Sequence, residues 1–120
     1  MNLEQQYFDS VNYILTNHKR IKQNTVKDTI GIAALYEQLA EECTELGKAA
    51  LKKSRKLRGE NPTPLTNEQI DNDIIEELTD IKLVVDTLGI KYDKDIYMNK
   101  LNRWVKRVKG EEVLNEDHTS

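Results

Sequence analysis

Two short acidic stretches carry the residues of this chain that could do chemistry. The first reads E-E-C-T-E over 41–45, and the second reads E-E-L-T-D over 76–80. Within each stretch two acids stand three positions apart, and residues at that spacing share one face of a helix. The pairs are Glu42 with Glu45 and Glu77 with Asp80. Carboxylate oxygens gathered in this way are the ligands that Mg²⁺ and Mn²⁺ prefer.

The angular position of each acid around its helix predicts how close it lies to the hydrophobic core. At about 100° of rotation per residue, the apolar stripe of the helix that carries the first acidic stretch centres near Leu39 and Cys43. This predicts that Cys43 is buried. Glu42 then flanks the stripe, whereas Glu41 points nearly opposite. Glu77 falls at the edge of the apolar face of the other helix. If the two helices pack antiparallel, both acid pairs can face one shared space.

Such a space would need compensation for its negative charge. Two unit charges about 4 Å apart repel by about 4 kcal/mol at an effective dielectric constant of about 20. Bound protons or a divalent cation could relieve this repulsion. The alternative interpretation is that the acids only form the solvated face of a charge-rich helix.

Four helices are expected to position these residues. Apolar side chains recur at helical spacing over about 3–20, 28–57, 66–88 and 93–108. Polar residues at 23–25 are expected to separate the first two helices. The predicted fold is an all-α four-helix bundle, with a single domain over 1–109 and a polar tail over 110–120. Because a small helical domain buries a modest fraction of its surface, we expect oligomerisation to complete the core.

Helix-terminal signals support the later boundaries. Gly59, Pro62 and Pro64 oppose helix and predict a loop between the second and third helices. Thr66, with Gln69 three residues on, predicts a capping box at the start of the third helix. The remaining signals are Gly89 as a C-cap and Asp93 as an N-cap.

Composition limits the function classes. The net charge of −3 argues against general attraction to nucleic acid or to an anionic membrane. The lone cysteine cannot form an internal disulfide, and the N-terminus does not resemble a signal peptide. The apolar runs are far too short for a membrane span. We therefore expect a protein of the reducing cytoplasm.

The order of the acidic motifs, E-E-x-x-E and then E-x-x-D, resembles the MazG-like, all-α nucleoside triphosphate pyrophosphohydrolases. L-Y-E-Q-L-A-E-E-C-T-E-L resembles the first motif helix of that family, and I-I-E-E-L-T-D-I-K-L-V-V-D-T-L-G-I resembles the second. N-K-L-N-R-W-V-K-R resembles the basic stretch of the following helix. The resemblance covers about residues 30–108. The separation between Glu45 and Glu77 is longer than is usual in the family, and the extra length falls in the proline-containing loop.

The resemblance implies hydrolysis of a nucleoside triphosphate between its α and β phosphates, which gives the monophosphate and pyrophosphate. Glu41 and Glu42 would be catalytic, with Glu41 orienting water, and the subunits would form a homodimer or homotetramer. The implied ligands of Mg²⁺, or of Mn²⁺ in its place, are Glu42, Glu45, Glu77 and Asp80. Lys100 and Arg103 would bind the triphosphate, although a solvated basic helix face explains them equally well. The chain has no P-loop motif, so phosphate must be bound by metal and basic side chains.

Other functions stay open on the sequence. On the same scaffold, the substrate could be dUTP, dCTP or phosphoribosyl-ATP. A different class is a non-catalytic helical interaction module whose acids only keep it in solution. A third is a helical nucleic-acid-binding protein that uses the basic run from Lys52 to Arg58, which the net charge disfavours.

Overall fold

The structure, a computed structural model, describes residues 2–60 and 64–110 and is helical without any β-strand in those ranges. The helices are α1 (Leu3–Ile30), α2 (Ile32–Arg58), α3 (Asn67–Leu88) and α4 (Lys94–Lys109). This confirms the all-α prediction. The chain divides into two compact units after Ile90, so that α1, α2 and α3 belong to the first unit and α4 to the second.

The boundary between the first two helices lies at Gly31, and the prediction of a break at 23–25 was wrong. Those polar residues stay helical, because a polar side chain does not prevent the backbone from making its helical hydrogen bonds. Gly31 has φ 87° and ψ 159°, a conformation that is open almost only to glycine. Its N–H donates to the Lys27 carbonyl at 2.9 Å, which ends α1, and its carbonyl accepts from the Leu35 N–H at 3.2 Å, which begins α2.

The predicted boundaries of α3 are confirmed. The Thr66 hydroxyl accepts a hydrogen bond from the Gln69 N–H at 3.1 Å, and the Gln69 side chain accepts one from the Thr66 N–H at 2.8 Å. This reciprocal capping box satisfies two backbone donors at the start of the helix. Gly89 ends α3 in the left-handed conformation. Of the loop before α3, residues 61–63, with Pro62, lie outside the described residues.

α2 and α3 pack antiparallel. Lys53, near the end of α2, forms an ion pair with Asp71 at 2.8 Å and donates a hydrogen bond to Asn67 at 3.1 Å, both near the start of α3. Leu35, near the start of α2, lines the same cavity as Val84, near the end of α3. The buried residues of the described chain are Leu35, Ala49, Ile70, Val84 and Thr87. The second half of α1 packs beside this pair and completes a three-helix unit.

Cys43 is exposed, so the prediction that it is buried was wrong. The face of α2 that packs on α3 runs through Leu35 and Ala49, and Cys43 lies about 100° from the line that joins them. The apolar stripe read from the sequence was therefore rotated from the actual packing face by about one residue.

α4 begins and ends close to the predicted positions. The Asp93 carboxylate accepts a hydrogen bond from the Ile96 N–H at 2.9 Å, and Gly110 ends the helix in the left-handed conformation. Every residue of α4 is exposed. The predicted tail falls on 111–120, outside the described residues, and the single domain over 1–109 stays a prediction. No helix in the described part of the chain has the length and apolar character that a membrane crossing requires.

Candidate metal centre

Glu42 lies in the seam between α2 and α3, which is the line of residues along which the two helices pack. It stands midway between Leu35 and Ala49, the buried residues of this helix. Residues seven apart return to the same face after about two turns, so the Glu42 carboxylate emerges in line with the two buried apolar side chains. The Gln38 side-chain amide, one turn earlier, donates a hydrogen bond to Glu42 Oε1 at 2.7 Å and orients it.

The facing helix repeats the same pattern. Glu77 stands midway between Ile70 and Val84, which are both buried on α3. Asp80 stands seven residues before the buried Thr87 and therefore also faces the interior of the unit. Both helices thus place a carboxylate in the middle of a packing line where an apolar residue would otherwise be expected.

These three carboxylates converge. Glu42, Glu77 and Asp80 each offer one oxygen, and the three oxygens lie within 4.8 Å of one another. All three side chains are half-buried. Two oxygens at about 2.1 Å from one Mg²⁺ can be up to about 4.2 Å apart, so small side-chain rotations would bring this set to ligating distance. Hard oxygen donors of this kind fit Mg²⁺ or Mn²⁺.

The carboxylates of the cluster repel one another, and no basic side chain of the described residues is in direct contact with them. Partial burial raises the pKa of Glu77, and the nearby charges of Asp80, Glu42 and Glu45, together with a hydrogen bond to Glu42, raise it further. Within 2–60 and 64–110, no lysine or arginine forms an ion pair with any of the three carboxylates. A bound proton or cation would therefore lower the repulsion within the set.

Two predicted acidic site residues lie outside the set. Glu45 is exposed and forms an ion pair with Lys48 at 3.4 Å, although its charge is close enough to raise the pKa of Glu77. Glu41 is exposed, in keeping with its predicted direction away from the core stripe. The structure therefore brings together three of the four predicted metal ligands.

The predicted phosphate-binding residues lie in the second unit. Lys100 and Arg103 are one turn apart on α4, and both are exposed. Exposure is what either interpretation of these residues requires. Their contact with a triphosphate stays a prediction.

The structure also reveals a cavity that the sequence analysis missed. It has a volume of about 480 Å³ and lies between α1, α2 and α3, with Glu42 and Asp80 in its wall. Lys19 and Lys22 of α1 line it as well. Lys22 was overlooked because the first helix was expected to end at about residue 20, and Lys19 stood in its last predicted turn. Gln38 could have been found, since it precedes Glu42 by one helical turn.

Chemically, the arrangement can hold a hard divalent cation at the edge of a cavity that is large enough for an organic ligand. Comparisons of the chain with protein-family models, with curated proteins and with solved structures find no match. The site and the motifs that build it are therefore the basis for assigning a function.

Proposed function

We propose that this chain is a Mg²⁺-dependent nucleoside triphosphate pyrophosphohydrolase, which converts a nucleotide or deoxynucleotide triphosphate to the monophosphate and pyrophosphate. The observation that carries the proposal is the convergence of Glu42, Glu77 and Asp80 within 4.8 Å between α2 and α3. In the part of the chain that the structure describes, no lysine or arginine forms an ion pair with them. The order of the acidic motifs supports it, because it resembles that of the MazG-like pyrophosphohydrolases.

The three converging carboxylates would hold the cation, and Glu45 would join them after release from Lys48. The ion, when bound, supplies neutralisation of charge on the phosphate oxygens as a Lewis acid. Gln38 fixes the rotamer of Glu42 through its 2.7 Å hydrogen bond, so that this ligand is oriented before the ion arrives. Glu41, on the adjacent exposed position, is proposed to orient the attacking water.

The assembly belongs to the same proposal. Exposed apolar residues along α1 and α4 support a homodimer or homotetramer in which further helices complete a MazG-type bundle. Lys100 and Arg103 of α4 are proposed to bind the triphosphate. The proposed role is the clearing of nucleotides from the cytoplasmic pool.

The decisive experiment is incubation of the purified chain with each deoxynucleotide triphosphate and Mg²⁺, followed by measurement of pyrophosphate release. Glu42→Gln and Asp80→Asn should each lower the rate by about a hundredfold or more, since each removes a charged ligand from the ion. Glu76→Gln is the matched control, because Glu76 is exposed and lies outside the set. It should retain the wild-type rate.

A specific observation favours a second candidate, a non-catalytic interaction module. α1 has no buried residue and exposes large apolar side chains along its length. The two candidates differ in their response to metal. Absence of pyrophosphate release from every nucleotide, with melting unchanged by Mg²⁺ and Mn²⁺, would exclude the hydrolase and favour the module.

A further inference from the structure

The cavity beside the carboxylates has walls of three chemical kinds. Its acidic wall contains Glu42 and Asp80, two members of the converging set. Its cationic wall is formed by Lys19 and Lys22, on one face of α1. The rest of its wall is largely aliphatic, and the aliphatic residues are Val26, Ile30, Leu35, Leu83 and Val84.

This combination selects for a particular kind of ligand. The aliphatic walls favour a weakly polar group, and the acidic wall would repel an anion unless a cation lay between them. The lysines attract a negative group directly. A nucleotide has both parts, a heterocyclic base and a phosphate chain.

The charge balance of the site favours a role for the two lysines. A triphosphate and three carboxylates together carry more negative charge than one divalent cation offsets. Basic side chains at the site would supply further positive charge, and within the first unit Lys19 and Lys22 are the basic residues in the cavity wall.

We propose that Lys19 and Lys22 contact the phosphates of the nucleotide, while its base and sugar occupy the aliphatic part of the same cavity. The inference rests on the proposed function and adds to it two phosphate-binding residues from α1. It also assigns discrimination between nucleotides to the α1–α2–α3 cavity.

Both lysines are available for this role. Lys22 forms no ion pair within the described ranges. Lys19 Nζ lies 3.9 Å from Asp86 Oδ2, which is a long distance for an ion pair. Lys82 Nζ lies closer to the same oxygen, at 2.9 Å. Movement of Lys19 toward a phosphate therefore leaves Asp86 paired.

The test is calorimetric binding of an α,β-methylene deoxynucleotide triphosphate in the presence of Mg²⁺. The double variant Lys19→Gln/Lys22→Gln should bind the analogue about tenfold more weakly or worse, because each lost contact is a charge-assisted hydrogen bond. Binding of Mn²⁺ alone should be unchanged. Arg20→Gln is the control, since Arg20 is exposed on the same helix and does not line the cavity.

A second variant tests the aliphatic part of the cavity. Val26→Trp adds a large side chain at a half-exposed wall position, where it can fill the cavity without disturbing a buried contact. It should weaken binding of the nucleotide analogue and leave binding of inorganic triphosphate unchanged. The double lysine variant should weaken binding of both the nucleotide analogue and inorganic triphosphate. Circular dichroism should show wild-type helix content for each variant.

The outcomes separate the two proposals. If the wild type releases pyrophosphate and the double lysine variant binds the analogue as tightly as the wild type does, the phosphate contacts are wrong and the proposed function stands. If Val26→Trp binds the analogue normally, the base lies elsewhere. If the wild type binds no nucleotide in the presence of Mg²⁺, both proposals fail.

Discussion

Glu77 links the acidity of the site to the stability of the fold. Its carboxyl lies in the seam between α2 and α3, and partial burial with the surrounding carboxylates raises its pKa above the ordinary value of 4.5. The folded chain therefore binds this proton more tightly than the unfolded chain does. The associated stability is fully present below pH 4.5 and is lost as the pH rises through the raised pKa of the folded state.

The raised pKa of Glu77 predicts how the Glu77→Gln substitution changes the thermal stability. In the presence of a chelator at neutral pH it should melt at a higher temperature than the wild type, because the neutral amide removes the repulsion that the ionised carboxyl suffers. Below pH 4.5 the difference should disappear. Mg²⁺ should raise the melting temperature of the wild type and not that of the variant.

Thermal unfolding followed by circular dichroism across this pH range measures the effect. Glu76→Gln provides the control, since Glu76 is the exposed neighbour on the same helix. A Glu77→Gln variant that is less stable than the wild type at neutral pH in chelator would show that the carboxyl is not repelled in the metal-free fold.

At the scale of the helices, features set by neighbours in sequence could be predicted, whereas the faces along which the helices pack could not. The capping box at Thr66 and the acid spacing within each motif depend on neighbours in sequence, so both could be predicted. The packing face of α2 depends on which line of residues meets α3, and that choice is not local. The spacing therefore predicted the approach of Glu42, Glu77 and Asp80, but it wrongly added Glu45 to the set and centred the stripe on Cys43, which is exposed.

The α1–α2 boundary depends on one glycine. Gly31→Ala should destabilise the fold by about 1–3 kcal/mol, because alanine is strained at a φ of 87°. Gly47→Ala is the matched control in the interior of α2, where an added Cβ meets nothing within 4 Å. It should stabilise by about 0.5–1 kcal/mol, through higher helix propensity. Chemical denaturation of both variants measures the difference, and equal stabilities would contradict the strain argument.

At the scale of the whole molecule, the main feature of the described residues is the large number of apolar side chains that they expose to solvent. α1 has no buried residue, and Tyr7 and Leu15 are 74% and 61% exposed. An apolar helix face of this extent is typical of a protein–protein interface. The composition anticipated this, because a small helical domain cannot bury enough surface alone. Which faces meet could not be predicted, since partner geometry is not encoded in the periodicity of one helix.

The oligomeric state therefore gives the last prediction. Light scattering coupled to size-exclusion chromatography should show a dimer or tetramer, because burial of the α1 face contributes about 25 cal/mol per Å² of apolar surface. Leu15→Lys should dissociate it or weaken its assembly, since a charge would be buried in the interface without a partner. Asn24→Lys is the control, as it adds the same charge at an exposed polar position on the opposite side of α1 from Leu15. A monomeric wild type at micromolar concentration would contradict the assignment of this face to self-association.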